Sequence, residues 1–120
     1  MRLLCADDDP DIRTILSLAL GLDARFEVET FGSGTALLEA ARRGGADAVL
    51  LDVQMPAPDG FETCRVLKGD PATAHLPVVF LSASAAPTIL AEARGLGAVA
   101  CLAKPFDPLT LAHTVRQALE

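Results

Sequence analysis

The stretch Ala48-Val49-Leu50-Leu51-Asp52 constrains the fold more than any other. Its residues are apolar at successive positions, with no polar alternation, until the run stops at Asp52. A strand that is apolar on both faces belongs in a parallel sheet covered by helices on both sides. Such sheets place their ligand sites outside the C-terminal ends of the strands, where Asp52 stands. Taken alone, Asp52 could equally cap the following segment, because aspartate favours turns and caps. The other strand ends decide between the two.

Leu3 to Ala6 is a second apolar run, ending in Asp7-Asp8-Asp9-Pro10. Proline suits the first turn of a helix with Asp9 before it as the cap. Ile12, Ile15, Leu16, Ala19 and Leu20 then repeat at helical spacing up to Gly21. Phe26, Val28 and Thr30-Phe31 suggest a second strand. Ser33 can cap a helix that turns Ala36, Leu37, Ala40 and Ala41 inward and ends at Gly44-Gly45. After the strand ending at Asp52, Asp59-Gly60 opens a helix with Phe61, Cys64 and Leu67 on one side, and Gly60 is expected to serve the backbone at a turn. Residues 77–81 form a fourth strand ending at Ser82. An Ala/Gly-rich and therefore weaker helix follows from Pro87 to Arg94. Residues 98–102 make a fifth strand before Lys104-Pro105, and Asp107-Pro108 is expected to open the last helix, with Leu111, Ala112, Val115 and Leu119 inward.

Five strands alternating with five helices through short connections imply a doubly wound α/β fold with a parallel sheet and right-handed crossovers. The order 2-1-3-4-5, the flavodoxin-like arrangement, suits this length and puts the switch point between strands one and three. The 120 residues fit one domain, 1–120. Hydrophobic residues make up 51 %, enough for a core between two helical layers, although five Phe are the only aromatics. The net charge of −6 argues against a nucleic-acid footprint. No apolar run approaches the roughly 20 residues of a membrane span, and the start does not resemble a signal peptide, so a cytoplasmic protein without membrane contact is expected. Cys5, Cys64 and Cys101 are too scattered for a disulfide framework or metal knuckle and read as apolar fillers. His75 and His113 lack a partner at ligand spacing and read as surface residues.

On this topology Asp7, Asp8, Asp52, Ser82 and Lys104 share one edge of the sheet. Clustered carboxylates repel one another unless a cation sits among them. All-oxygen ligands suit Mg²⁺, which binds through one or two carboxylates and phosphate oxygens. A carboxylate nucleophile beside such a cation, a hydroxyl and an ammonium is equipped for phosphoryl transfer.

The segments Leu4-Cys5-Ala6-Asp7-Asp8-Asp9-Pro10, residues 51–60, Leu81-Ser82-Ala83 and Lys104-Pro105-Phe106 together resemble a response-regulator receiver domain of two-component signalling. The resemblance implies that Asp52 accepts the phosphoryl group from a sensor histidine kinase or phosphotransfer protein. It implies direct Mg²⁺ ligation by Asp8, ligation by Asp7 mainly through water, and a further ligand in the Gln54 backbone carbonyl. Ser82 and Lys104 would hold the phosphoryl oxygens, and a cis bond would precede Pro105. A downstream protein would then read the face of the fourth helix, fifth strand and fifth helix. Such a module catalyses only its own phosphorylation and dephosphorylation. Two features differ from the common pattern: Cys101 stands where an aromatic residue often does, and Ser82 replaces threonine. With no aromatic to swing, the response is expected as backbone movement of the fourth helix.

Two other readings fit less well. A haloacid-dehalogenase-type phosphatase also uses an aspartate nucleophile and Mg²⁺, but wants a second aspartate where Gln54 stands. A receiver-like module independent of phosphate would normally lack one of the chemical residues. The chain fits either a stand-alone receiver or a fragment of a longer regulator or hybrid kinase.

Overall fold

The computed structural model describes all residues 1–120 and contains the ten expected elements in alternation. They are β1 (Arg2–Ala6), α1 (Pro10–Gly21), β2 (Glu27–Phe31), α2 (Gly34–Arg42), β3 (Ala48–Asp52), α3 (Gly60–Gly69), β4 (Val78–Ser82), α4 (Pro87–Gly95), β5 (Ala100–Ala103) and α5 (Leu111–Leu119). All strand pairs are parallel, in the order β2-β1-β3-β4-β5. No helix is long and apolar enough to cross a membrane.

Strands send successive side chains to opposite faces, and the two halves of the core follow that rule. Leu4, Ala6, Val49, Leu51, Val78 and Phe80 pack under α2, α3 and α4. Leu3, Cys5, Ala48, Leu50, Val79 and Leu81 pack under α1 and α5. Every residue of β3 and β4 is buried, which is why neither strand shows polar alternation. The rings of Phe61 and Phe80 meet edge to face, with centroids 5.1 Å apart. Burial pushes the Cys5 thiol up to about 12, as befits an inert apolar filler.

The helix starts follow local side-chain chemistry. Asp9 accepts a hydrogen bond from the Asp11 amide, and Ser33 accepts one from that of Ala36. Asp59 and Glu62 form a reciprocal capping box at α3, satisfying two amides that the helix itself cannot. By contrast, α4 has no side-chain cap at Ala86 and buries only Ala93.

Three local expectations are corrected. The last helix begins at Leu111, not at Pro108: residues 108–110 form a turn, in which Asp107 accepts from the Leu109 amide and its carbonyl from those of Thr110 and Leu111. The fifth strand starts at Ala100 because the end of α4 occupies the preceding residues: Gly97 has φ +84° and the Ala98 amide bonds the Ala93 carbonyl. Ile15 lies on the exposed side of α1, while Leu16, Ala19 and Leu20 face the core.

Candidate functional site

The parallel register brings the strand ends to one edge: Ala6 is level with Leu51, Asp52 with Leu81, and Ser82 with Ala103. Asp7 follows β1 directly and is buried. Its amide donates to the Phe31 carbonyl at 3.1 Å, and its Oδ1 accepts from the Asp9 amide at 3.0 Å. Asp52 ends β3 and is also buried, with Oδ1 accepting from the Gln54 amide at 3.2 Å. Asp8 is exposed beside them, and Asp7, Asp8 and Asp52 each offer a carboxylate oxygen within 4.8 Å of the others.

Lys104 closes this edge from the far side. Its Nζ lies 2.7 Å from Asp7 Oδ2 and 3.2 Å from Asp52 Oδ2. One ammonium therefore serves two buried carboxylates, while Asp8 has no ion pair. Burial, then the Asp7 charge, hold Asp52 above the ordinary carboxylate range, against the opposing pull of Lys104 and the Gln54 amide. Burial pulls Lys104 down, but its hydrogen bond to Asp7 and the charge of Asp52 outweigh that and raise it. The edge is short of positive charge, and its donors are all hard oxygens. That donor set suits a hard divalent cation.

Ser82 is buried at the end of β4, where its carbonyl accepts from the Lys104 amide at 2.8 Å. Its hydroxyl does not reach Asp52. It donates to the Ser84 carbonyl at 2.8 Å and accepts from the Ser84 amide at 3.0 Å. Gln54 is exposed and borders an open cleft of about 600 Å³ together with Asp8, Met55 and Asp59. The Lys104–Pro105 bond is cis, as expected, and so is Ala57–Pro58, which nothing in the sequence signalled.

Two supporting roles are visible only in the structure. Arg13 donates to the Asp7 carbonyl at 2.8 Å, pinning the start of α1 to the acidic edge. Gly60 lacks a positive φ; it is required by close approach, since a β-carbon there would fall on the Asp52 carbonyl. The turn role expected for Gly60 is thereby replaced by a packing role. Gly60→Ala is expected to destabilise the fold by about 1–3 kcal/mol through overpacking and to displace Asp52. Denaturant unfolding checks this, and unchanged stability would show that α3 can shift away freely.

Comparison with known proteins agrees with this arrangement. The sequence model of the response regulator receiver domain matches residues 3–116. Response regulator PleD from Caulobacter vibrioides is 38 % identical over 115 residues, covering 96 % of this chain and 25 % of PleD. DNA-binding response regulator MtrA from Mycolicibacterium smegmatis is 34 % identical over 118 residues, covering 98 % of this chain and 50 % of MtrA. The chain thus spans a quarter to a half of these relatives. The crystal structure of chemotaxis protein CheY4 from Vibrio cholerae superposes with a TM-score of 0.89 at 32 % identity, covering 98 % of this chain and 97 % of that one. With the match running through all four strand ends that build the acidic edge, the chain belongs to the response regulator receiver domain family.

Proposed function

We propose that the chain is a phospho-accepting switch in which Asp52 takes a phosphoryl group from a phosphohistidine on a sensor kinase or phosphotransfer protein. The observation that carries this is the buried Asp52 carboxylate, ion-paired to Lys104 and flanked by Asp7 and Asp8. In the transfer, an Asp52 oxygen bonds phosphorus as the phosphorus–nitrogen bond breaks, and the imidazole leaves with the bonding pair and takes up a proton. Lys104 neutralises charge on the phosphoryl oxygens, and Ser82 donates a hydrogen bond to one of them after turning from Ser84. Asp7, Asp8, Asp52 and the Gln54 carbonyl are the groups that would hold Mg²⁺, which when bound offsets further phosphoryl charge. Downstream, a protein partner reads the α4–β5–α5 face, where Leu90 and Val99 are exposed. Neither a dehalogenase-type phosphatase nor a phosphate-independent module is favoured by any feature of the site.

Incubation with acetyl phosphate, with and without Mg²⁺, followed by intact mass, tests the proposal. One phosphoryl group added only with Mg²⁺ is the expected result; none added under either condition would refute it.

The two exposed aspartates are expected to separate. Asp8→Ala removes a ligand and a source of repulsion, so Mg²⁺ affinity falls at least about tenfold, about 1.4 kcal/mol, while metal-free stability holds or rises. Asp9→Ala removes the α1 cap and costs about 0.5–2 kcal/mol of stability while Mg²⁺ affinity holds. Mg²⁺ titration and melting of both variants check this, and equal metal loss in the two would contradict the ligand assignment.

A further inference from the structure

We propose that Ser84 is a positioning residue that links Ser82 to α4, so that capture of a phosphoryl oxygen by Ser82 is transmitted to the first turn of that helix; this rests on the reading of Asp52 as phosphoacceptor.

A single file of hydrogen bonds runs from the site to the helix. The Ser82 hydroxyl donates to the Ser84 carbonyl at 2.8 Å and accepts from the Ser84 amide at 3.0 Å. The Ser84 hydroxyl in turn accepts from the Ala86 amide at 3.2 Å. The Ala86 carbonyl then accepts from the amides of both Ile89 and Leu90, at 3.0 and 3.1 Å. A hydroxyl has one hydrogen to donate. Ser82 must therefore give up the Ser84 carbonyl in order to donate to a phosphoryl oxygen.

What the file holds is weakly held otherwise. Ala86 offers α4 no side-chain cap, Pro87 brings no amide hydrogen, and Ala93 alone of the helix is buried. In the first turn only Ile89 packs, partly buried, against the core, so these polar links share in setting its position. On one side of α4 lies a cavity of about 230 Å³, bordered by Leu90, Ala93 and Cys101. The helix end thus has room to move when the file is broken. Ser84 is the one member of the file that contributes both backbone and side chain, so Ser84→Ala cuts the link while leaving Ser82 and its backbone partners in place.

Amide exchange at Ile89 and Leu90, with and without beryllofluoride, tests the link. In the wild type beryllofluoride is expected to change exchange there about fivefold or more. In Ser84→Ala the same ligand still binds, but the change shrinks below about twofold, and Ser84→Thr, which keeps the hydroxyl, restores it. A merely structural serine would alter exchange equally in both states and leave the ratio intact. In ligand-free protein Ser82→Ala is expected to speed the same two amides, since Ser84 is then unclasped. A wild-type ratio in Ser84→Ala, loss of beryllofluoride binding by that variant, no rescue by threonine, or unchanged ligand-free exchange in Ser82→Ala would each overturn the proposal. Failure of the wild type to bind beryllofluoride would instead remove the phosphoacceptor reading, leaving the ligand-free comparison to decide the link.

Discussion

Asp52→Asn is expected to abolish phosphoryl incorporation from small donors while leaving the fold as stable as the wild type or more so. The amide is a poor nucleophile and cannot form an acyl phosphate, so the chemical loss is complete. Stability follows from the charge arrangement. Asp52 and Asp7 are two buried carboxylates sharing one ammonium, and their like charges destabilise the metal-free edge. The isosteric amide removes one of those charges and leaves Lys104 paired with Asp7. Intact mass after acetyl phosphate treatment and denaturant unfolding, both on the same protein, check the two halves. Labelling at the wild-type level would remove Asp52 from the role of acceptor. A large loss of stability would show that the Asp52–Lys104 pair, not the repulsion, dominates the edge.

Lys104→Met is expected to act in the opposite sense on stability. It leaves Asp7 and Asp52 buried with no cation between them. Removing one partner of a buried pair costs about 3–5 kcal/mol, and the partial exposure of Lys104, 17 %, points to the lower end of that range. Because the loss is electrostatic, added Mg²⁺ is expected to recover part of it, and Mg²⁺ affinity itself is expected to hold or rise. Beryllofluoride, if it still binds, is expected to leave partner affinity unchanged, since no ammonium remains to draw β5 toward the phosphoryl group. Unfolding with and without Mg²⁺, and partner affinity with and without beryllofluoride, check these outcomes. Wild-type stability in the variant, insensitive to Mg²⁺, would mean that the pair contributes nothing.

The elements and their order were legible because burial left a plain trace in composition. The unbroken apolar runs of β3 and β4 admit only a sheet covered on both faces, and Asp52 and Ser82 mark where that cover ends. The caps at Asp9, Ser33 and Asp59 were legible because each depends on residues two or three positions apart. The acidic edge followed from topology, which carries Asp7 to Asp52 without any local signal joining them.

What escaped depends on how a helix settles against the strand before it or on competition between equivalent bonds. The contact of Gly60 with the Asp52 carbonyl exists only once α3 packs on β3, and that of Arg13 with the Asp7 carbonyl only once α1 folds back on the end of β1. Asp107 takes the Leu109 amide just as Asp9 takes that of Asp11, yet the residues after it form a turn before the helix begins at Leu111. The Ser82 hydroxyl had two possible destinations, Asp52 or the adjacent loop, and Ser84 holds it. Ile15 fits the helical repeat of α1, yet the angular width of the buried stripe leaves it outside.

The central claim is that Asp52, among the carboxylates at this edge, forms the bond to phosphorus. Borohydride reduction of the phosphorylated chain tests it most directly, because it converts an aspartyl phosphate to homoserine and so marks the acceptor in a peptide map. Homoserine at position 52 and at no other is the predicted result; homoserine at position 7, 8 or 9, or at none, in protein whose mass shows a bound phosphoryl group would contradict it.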